Sequence, residues 1–187
     1  MNDYIKVYDG VLDDEFCKTL IDEFESIPDQ WERFDNQGRP NFNQFNITEY
    51  ASQNKETVWY KNHDVLVEAT HKYGLAYMNE LEVGHFWPDN NALEQYRMKK
   101  YNNDGVDQFA THVDVGDFNS ARRFLVMFFY LNDVNEGGET YFPTLDYSVK
   151  PKTGRLVVFP PLWPWPHEGK APVSNEKYIV GTYLHYV

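Results

Sequence analysis

The stretch Arg123-Phe124-Leu125-Val126-Met127-Phe128-Phe129-Tyr130-Leu131 decides the fold class. It is too short for a long helix and rich in aromatic and branched residues. It has no alternation of apolar with polar, which is the pattern of a strand buried on both faces. Asn132 to Gly138 supplies a turn signal after it. Working outward, Thr140-Tyr141-Phe142 reads as a further strand, and Lys152-Thr153-Gly154 turns into Arg155 to Phe159. Tyr178 to Val187 closes the chain as a last strand. Upstream, Leu93 to Tyr101 and Gln108 to Val113 read as two more. Short strands with turns between them suggest a sandwich or a jelly roll.

The first half has a different texture. Ile5 to Tyr8 alternates and reads as a short strand. Asp13 or Asp14 can cap a helix carrying Phe16, Leu20, Ile21 and Phe24, which Pro28 ends. Residues 29 to 57 are polar, rich in Asn and Gln and without a clear period, and are taken as loop with a strand near Phe42 to Ile47. A second helix is expected from about Asp64 to Glu82, with Val65, Leu66, Val67, Ala69, Tyr73, Leu75, Ala76 and Leu81 on its apolar side. The two helices should pack on one outer face of the sheets. Residues 29 to 63 and 83 to 92 are candidate lids.

Composition narrows the function classes. The 187 residues suffice for one domain with its own core. The 29 acidic and 17 basic residues give a net charge of −12, which argues against a grip on nucleic-acid phosphates and against anionic membranes. One cysteine, Cys17, rules out an internal disulfide. With no signal-peptide pattern and no membrane-length apolar run, the expected location is cytoplasmic.

The chemistry rests on a few residues among six histidines. His112 and Asp114 are two apart on an expected strand, so both side chains can face one metal. The step is common by chance, and its plain alternative is a polar strand end. His167 follows the stiff segment Phe159 to Pro166. Two imidazoles and one carboxylate form the facial triad of non-haem Fe(II) oxygenases, which leaves coordination positions open for a 2-oxoacid and dioxygen. Lys177, ten residues on, could hold the far carboxylate of such a cosubstrate; otherwise it is a solvated lysine. Trp165 lies in Trp163-Pro164-Trp165-Pro166, which either stacks on a substrate ring or is a packed loop.

Together these residues resemble the prolyl 4-hydroxylase-like group of Fe(II)- and 2-oxoglutarate-dependent dioxygenases. The resemblance runs from about Tyr96 to the C-terminus. It is carried by His112-Val113-Asp114, Arg123, Tyr130-Leu131-Asn132-Asp133, Glu136-Gly137-Gly138-Glu139-Thr140-Tyr141-Phe142-Pro143, Lys152-Thr153-Gly154, His167, Pro172-Val173 and Glu176-Lys177. It implies a double-stranded β-helix (jelly roll) core, mostly β with N-terminal helices on one face. The chain is then a single dioxygenase domain, 1–187, in which residues 1–95 give support and residues 96–187 form the catalytic core. It also implies Fe(II), 2-oxoglutarate and O2 as cofactors, and allows stimulation by ascorbate.

By resemblance, Tyr130 joins Lys177 on the distal carboxylate of 2-oxoglutarate, Tyr101 stands near its chelating end, and Arg123 stands at the substrate mouth. Core packing is the plain alternative for both tyrosines. Val126 stands where the family often has threonine, and Tyr183 where it often has tryptophan. Both positions line the substrate pocket, so the departures leave the iron chemistry intact and bear on the substrate. The carboxylate ligand Asp114 favours hydroxylation over halogenation. The expected reaction is hydroxylation of a C–H bond, most readily of a prolyl residue in a peptide or protein, with succinate and CO2 as products. A free amino acid or other small molecule is the alternative substrate, and a nucleobase is disfavoured by charge. A non-catalytic binding module on the same barrel is the alternative from another class.

Overall fold

A computed structural model describes residues 2–37 and 40–187. Twelve strands are placed among them. They are β1 (Lys6–Tyr8), β2 (Glu32–Asp35), β3 (Asn41–Asn46), β4 (Asn91–Leu93), β5 (Arg97–Tyr101), β6 (Phe109–His112), β7 (Arg123–Tyr130), β8 (Thr140–Phe142), β9 (Tyr147–Val149), β10 (Leu156–Phe159), β11 (His167–Gly169) and β12 (Lys177–Tyr186). The helices are α1 (Asp14–Glu25), α2 (Ile47–Gln53) and α3 (Val58–Glu80).

The strands form two antiparallel sheets. The major sheet has the order β1-β10-β7-β12-β5-β3-β2, with β4 also on β12; the minor sheet has the order β6-β11-β8-β9. This is the expected mostly-β jelly roll with helices on one face. The apolar run of β7 lies near the centre of the major sheet and explains both cores. Its odd residues Leu125, Met127 and Phe129 join the helix-side cluster. Its even residues Val126, Phe128 and Tyr130 join the cluster between the sheets, with Phe142 and Val149 from the minor sheet. β10 splits the same way, Leu156 and Val158 outward, Val157 and Phe159 inward.

Local chemistry sets the helix ends. Asp13 caps α1 by accepting the Phe16 N–H at 2.7 Å, and Asn46 caps α2 by accepting the Glu49 N–H at 3.1 Å. Glycine is needed at Gly154: its φ is +71°, and an added Cβ would fall 2.0 Å from the Leu12 carbonyl oxygen, where Val11 and Leu12 dock back onto the β9–β10 turn.

Three expectations are corrected. Residues 29 to 57 are not mainly loop: they hold the β2–β3 hairpin, which extends the major sheet, and α2. Asn and Gln hid this strand, because β3 is mostly buried yet reads Asn41-Phe42-Asn43-Gln44-Phe45-Asn46. The long helix starts at Val58, not Asp64, and buries Trp59, Asn62, Leu66, Thr70, Gly74 and Tyr77, while Val65 and Leu75 are exposed. The stripe has helical spacing but contains small and polar residues, and Thr70 is satisfied by the Tyr96 hydroxyl at 2.8 Å. The expected Leu93–Tyr101 strand is two pieces, β4 and β5, and β9 and β11 were not foreseen.

Candidate active site

The open end of the jelly roll places His112, Asp114 and His167 together. His112 ends β6 and His167 begins β11, and the two are direct cross-strand partners. Asp114 lies just beyond β6 rather than on it, held by its N–H to the Pro161 carbonyl at 3.1 Å. One donor atom from each of the three lies within 4.8 Å of the other two. Asp114 Oδ2 is 3.4 Å from His167 Nε2, and Asp114 Oδ1 is 3.9 Å from His112 Nε2.

The hydrogen bonds orient these groups. His112 Nδ1 faces the Ala110 carbonyl at 2.8 Å, and His167 Nδ1 faces the Trp165 carbonyl at 3.3 Å. A carbonyl only accepts, so each Nδ1 carries the proton and each Nε2 presents its lone pair to the shared space. Burial, with the neighbouring His167 second, pushes His112 down to about 4, so it is neutral at physiological pH. The His112 ring stacks on Phe109 at 3.6 Å, and His167 meets the edge of Phe159 at 4.7 Å. Asp114 Oδ1 accepts the Tyr183 hydroxyl at 2.6 Å, whereas Asp114 Oδ2 is buried with no partner. A carboxylate oxygen without a donor, beside two imidazole lone pairs, is a site built for a cation.

A second orphan lies deeper in the same cavity. Lys177 opens β12, opposite Tyr101 on β5, and is 2% exposed. Its ammonium reaches only two carbonyls, Gly138 at 3.2 Å and Lys170 at 3.4 Å, and sits 4.2 Å above the Tyr101 ring. Gly137 and Gly138 both have φ of +75°, and a side chain on Gly137 would come within 2.5 Å of the Ala171 carbonyl oxygen. The turn that aims the Gly138 carbonyl at Lys177 thus requires glycine. Burial pushes the Lys177 ammonium down to about 7. Tyr130 lines the cavity beside it, its buried hydroxyl 2.6 Å from Thr140 Oγ1 and 3.2 Å from the Val149 carbonyl.

The other candidates fall in two groups. Arg123 and Tyr183 line the cavity with Val126. The Arg123 guanidinium is engaged by Glu94 at 2.9 Å through two nitrogens, donates to the Asp114 carbonyl at 2.9 Å, and lies 4.0 Å from the Tyr183 ring centre. It therefore fixes Asp114 and Tyr183 from behind. Trp165 is not among the cavity-lining residues; it packs on the inner cluster, meets the Tyr4 ring at 5.8 Å, and lends its carbonyl to His167. Reading the sequence missed Arg97, Lys99, Phe109 and Thr140 around this cavity, and Glu94, which holds Arg123. The alternation Arg97, Lys99, Tyr101 on one strand was the available signal for two of them.

Residues 96–185 match the sequence pattern of the 2OG-Fe(II) oxygenase superfamily. That span is just under half of the chain, and the whole chain shares its fold with prolyl hydroxylases of solved structure. Among curated proteins, a "Putative prolyl 4-hydroxylase" of Acanthamoeba polyphaga mimivirus is 38% identical over 72 residues, which cover 34% of this chain and 30% of that protein. Among solved structures, the viral collagen prolyl hydroxylase of Paramecium Bursaria Chlorella virus-1, in complex with 2OG, superposes with a TM-score of 0.74 at 22% identity, covering 98% of this chain and 97% of that one. A Trichoplax adhaerens prolyl hydroxylase in complex with a hypoxia inducible factor peptide fragment gives 0.73 at 14% identity, covering 98% and 84%. The His112, Asp114 and His167 donor set suits Fe(II), the metal that the matched superfamily's name carries. Among the described residues, no helix is long and apolar enough to cross a membrane.

Proposed function

We propose that the protein is an Fe(II)- and 2-oxoglutarate-dependent hydroxylase acting on a prolyl residue of a peptide or protein. The observation that carries this reading is a pair of complementary groups in one cavity: an Asp114 carboxylate clustered with two imidazole Nε2 atoms, its Oδ2 accepting no hydrogen bond, and a buried Lys177 with no carboxylate within 4.0 Å among the described residues. His112, Asp114 and His167 would hold the metal, and Lys177 with Tyr130 the distal carboxylate of 2-oxoglutarate. Tyr101 would cover the chain between them. When bound, the metal would activate O2, which is the oxidant: one oxygen atom would enter the substrate C–H bond and the other would enter succinate as 2-oxoglutarate loses CO2.

The remaining residues orient and shield. The carbonyls of Ala110 and Trp165 fix the imidazole tautomers, and Tyr183 holds one oxygen of Asp114 so that the other points at the metal position. Phe109 packs on the His112 ring, and Phe159 and Phe142 on the buried His167 ring, which fixes both imidazoles in place. The prolyl target is supported by the prolyl hydroxylases that share the fold, one of them holding a peptide. A non-catalytic module would have no reason to keep a complete donor set and a buried lysine together. The test is succinate release with Fe(II), 2-oxoglutarate and proline-rich peptides, with the peptides analysed for one added oxygen. No peptide-stimulated succinate and no mass gain would reject the prolyl reading.

A further inference from the structure

The cations of this acidic chain divide sharply. Among the described residues that are buried or half-buried, Lys6, Lys100, Arg123 and Arg155 each have a carboxylate within 4.0 Å. Three have none: Lys177, Lys99 and Arg97, and all three line the cavity. With 29 acidic residues in the chain, three cations in one place without an ion-pair partner are not a by-product of composition. A half-buried cation without a counter-charge is costly unless something anionic visits it.

Lys177 already has a claimant in the distal carboxylate of 2-oxoglutarate. Lys99 and Arg97 do not. β5 alternation puts Tyr101, Lys99 and Arg97 on the cavity face, opposite Lys177, Ile179 and Gly181 of β12 in register. Lys99 is thus about 7 Å along the strand from Tyr101. It also borders the open groove outside the cavity, as does Arg97, whereas Lys177 and Tyr101 do not. The Lys99 ammonium lies 4.7 Å from the Phe42 ring and 5.5 Å from that of Phe109, which itself stacks on His112. One aromatic ring therefore separates this charge from a metal-donor residue. Among the described residues, the Arg97 guanidinium hydrogen-bonds the Gln95 side-chain oxygen, at 3.0 Å, and no carboxylate. The groove's carboxylates are Glu32 and Glu49, on its exposed rim, and Asp114, which attracts Lys99 from across the cavity but is set beside the two imidazoles; none is within 4.0 Å of either cation.

We propose that Lys99, with Arg97 beside it, receives a carboxylate of the primary substrate, so that the carbon to be hydroxylated lies next to an anionic group. This rests on the hydroxylase reading above. The carboxylate could be an acidic side chain flanking the target residue or the main-chain carboxylate of a terminal residue or free amino acid.

The test uses enzyme loaded with Mn(II) and 2-oxoglutarate and matched probes that differ only in charge. These are a short proline peptide with a Glu neighbour against its Gln counterpart, and L-proline against L-prolinamide. Binding by calorimetry should favour the acid of at least one pair by roughly tenfold or more. Lys99→Met should shrink that preference to within about threefold, Lys99→Arg should keep most of it, and neither should change 2-oxoglutarate affinity. The proposal is overturned if neither pair discriminates, if the preference survives Lys99→Met combined with Arg97→Gln, or if Lys99→Met weakens 2-oxoglutarate instead. Succinate release and product mass are followed in parallel. Lys99-dependent acid binding without oxygen on proline would uphold this inference and reject the prolyl target. Proline hydroxylation indifferent to probe charge would do the reverse.

Discussion

The two faces of the major sheet are built from the same strands to opposite rules. On the helix side, Leu125, Met127, Phe129, Val158 and Val180 pack against Leu20, Phe24, Trp59 and Leu66, and every one is nearly or fully buried. Its polar members are satisfied, as with the Tyr96 hydroxyl on Thr70. On the inner side, the same sheet exposes Lys177, Lys99 and Arg97 to one cavity, none with a carboxylate within 4.0 Å among the described residues, and Asp114 Oδ2 accepts no hydrogen bond. One face maximises stability. The other gives up stability to keep charges ready for ligands, which is how binding sites commonly trade against folding.

Substitutions should separate the two faces cleanly. The largest effect is expected from Asp114→Ala or His167→Ala: divalent-metal affinity, read by calorimetry, should fall by more than about 100-fold and turnover to background. The midpoint of urea unfolding of the metal-free protein should barely move. On the opposite face, Phe129→Ala should remove about 3–5 kcal/mol of stability by leaving a cavity in a close-packed core, while any folded fraction keeps its metal affinity. Metal loss in that variant, at temperatures where it is folded, would blur the distinction.

Lys177→Met should sharpen it, because the two readouts move in opposite directions. Affinity for 2-oxoglutarate should drop roughly 100-fold as the charged partner of a carboxylate is lost, yet the ligand-free protein should gain about 1–4 kcal/mol from an apolar side chain in a buried site. The pH dependence follows from the same group. Burial lowers the folded Lys177 value to about 7 from an ordinary 10.5. The cosubstrate needs the ammonium form, so above pH 7 binding must take up a proton, and affinity should fall by about tenfold per pH unit. Calorimetry in buffers of different ionisation enthalpy would detect that proton; a flat profile from about pH 7 to 9 would contradict it. The smallest effect is expected from Tyr183→Phe. Losing the 2.6 Å hydrogen bond to Asp114 should weaken metal binding about tenfold without unfolding the chain.

How much of this was legible follows from what each residue type signals. The β7 run announced a doubly buried strand because nearly every residue was apolar. The convergence of His112, Asp114 and His167 and their sharing a cavity with a buried Lys177 could be anticipated because the two motifs and the lysine stand in a recognisable order. What stayed hidden was carried by residues whose type misleads. β3 buries Asn41 and Gln44, and α3 turns Asn62, Thr70 and Gly74 inward while exposing Val65 and Leu75. A hydrophobicity pattern assigns those positions to the wrong face. Lys99 and Arg97 were hidden for another reason: an unpaired cation is defined by the absence of a neighbour, and only the folded chain shows which lysines lack one.

The central claim is that one ion and one dicarboxylate complete the inner face. A crystal structure of the protein with Mn(II) and 2-oxoglutarate tests it directly. The account predicts the ion on His112 Nε2, His167 Nε2 and Asp114, with the far carboxylate of the cosubstrate on Lys177. An ion bound elsewhere, or that carboxylate resting on Lys99 and Arg97 with Lys177 still alone, would contradict it.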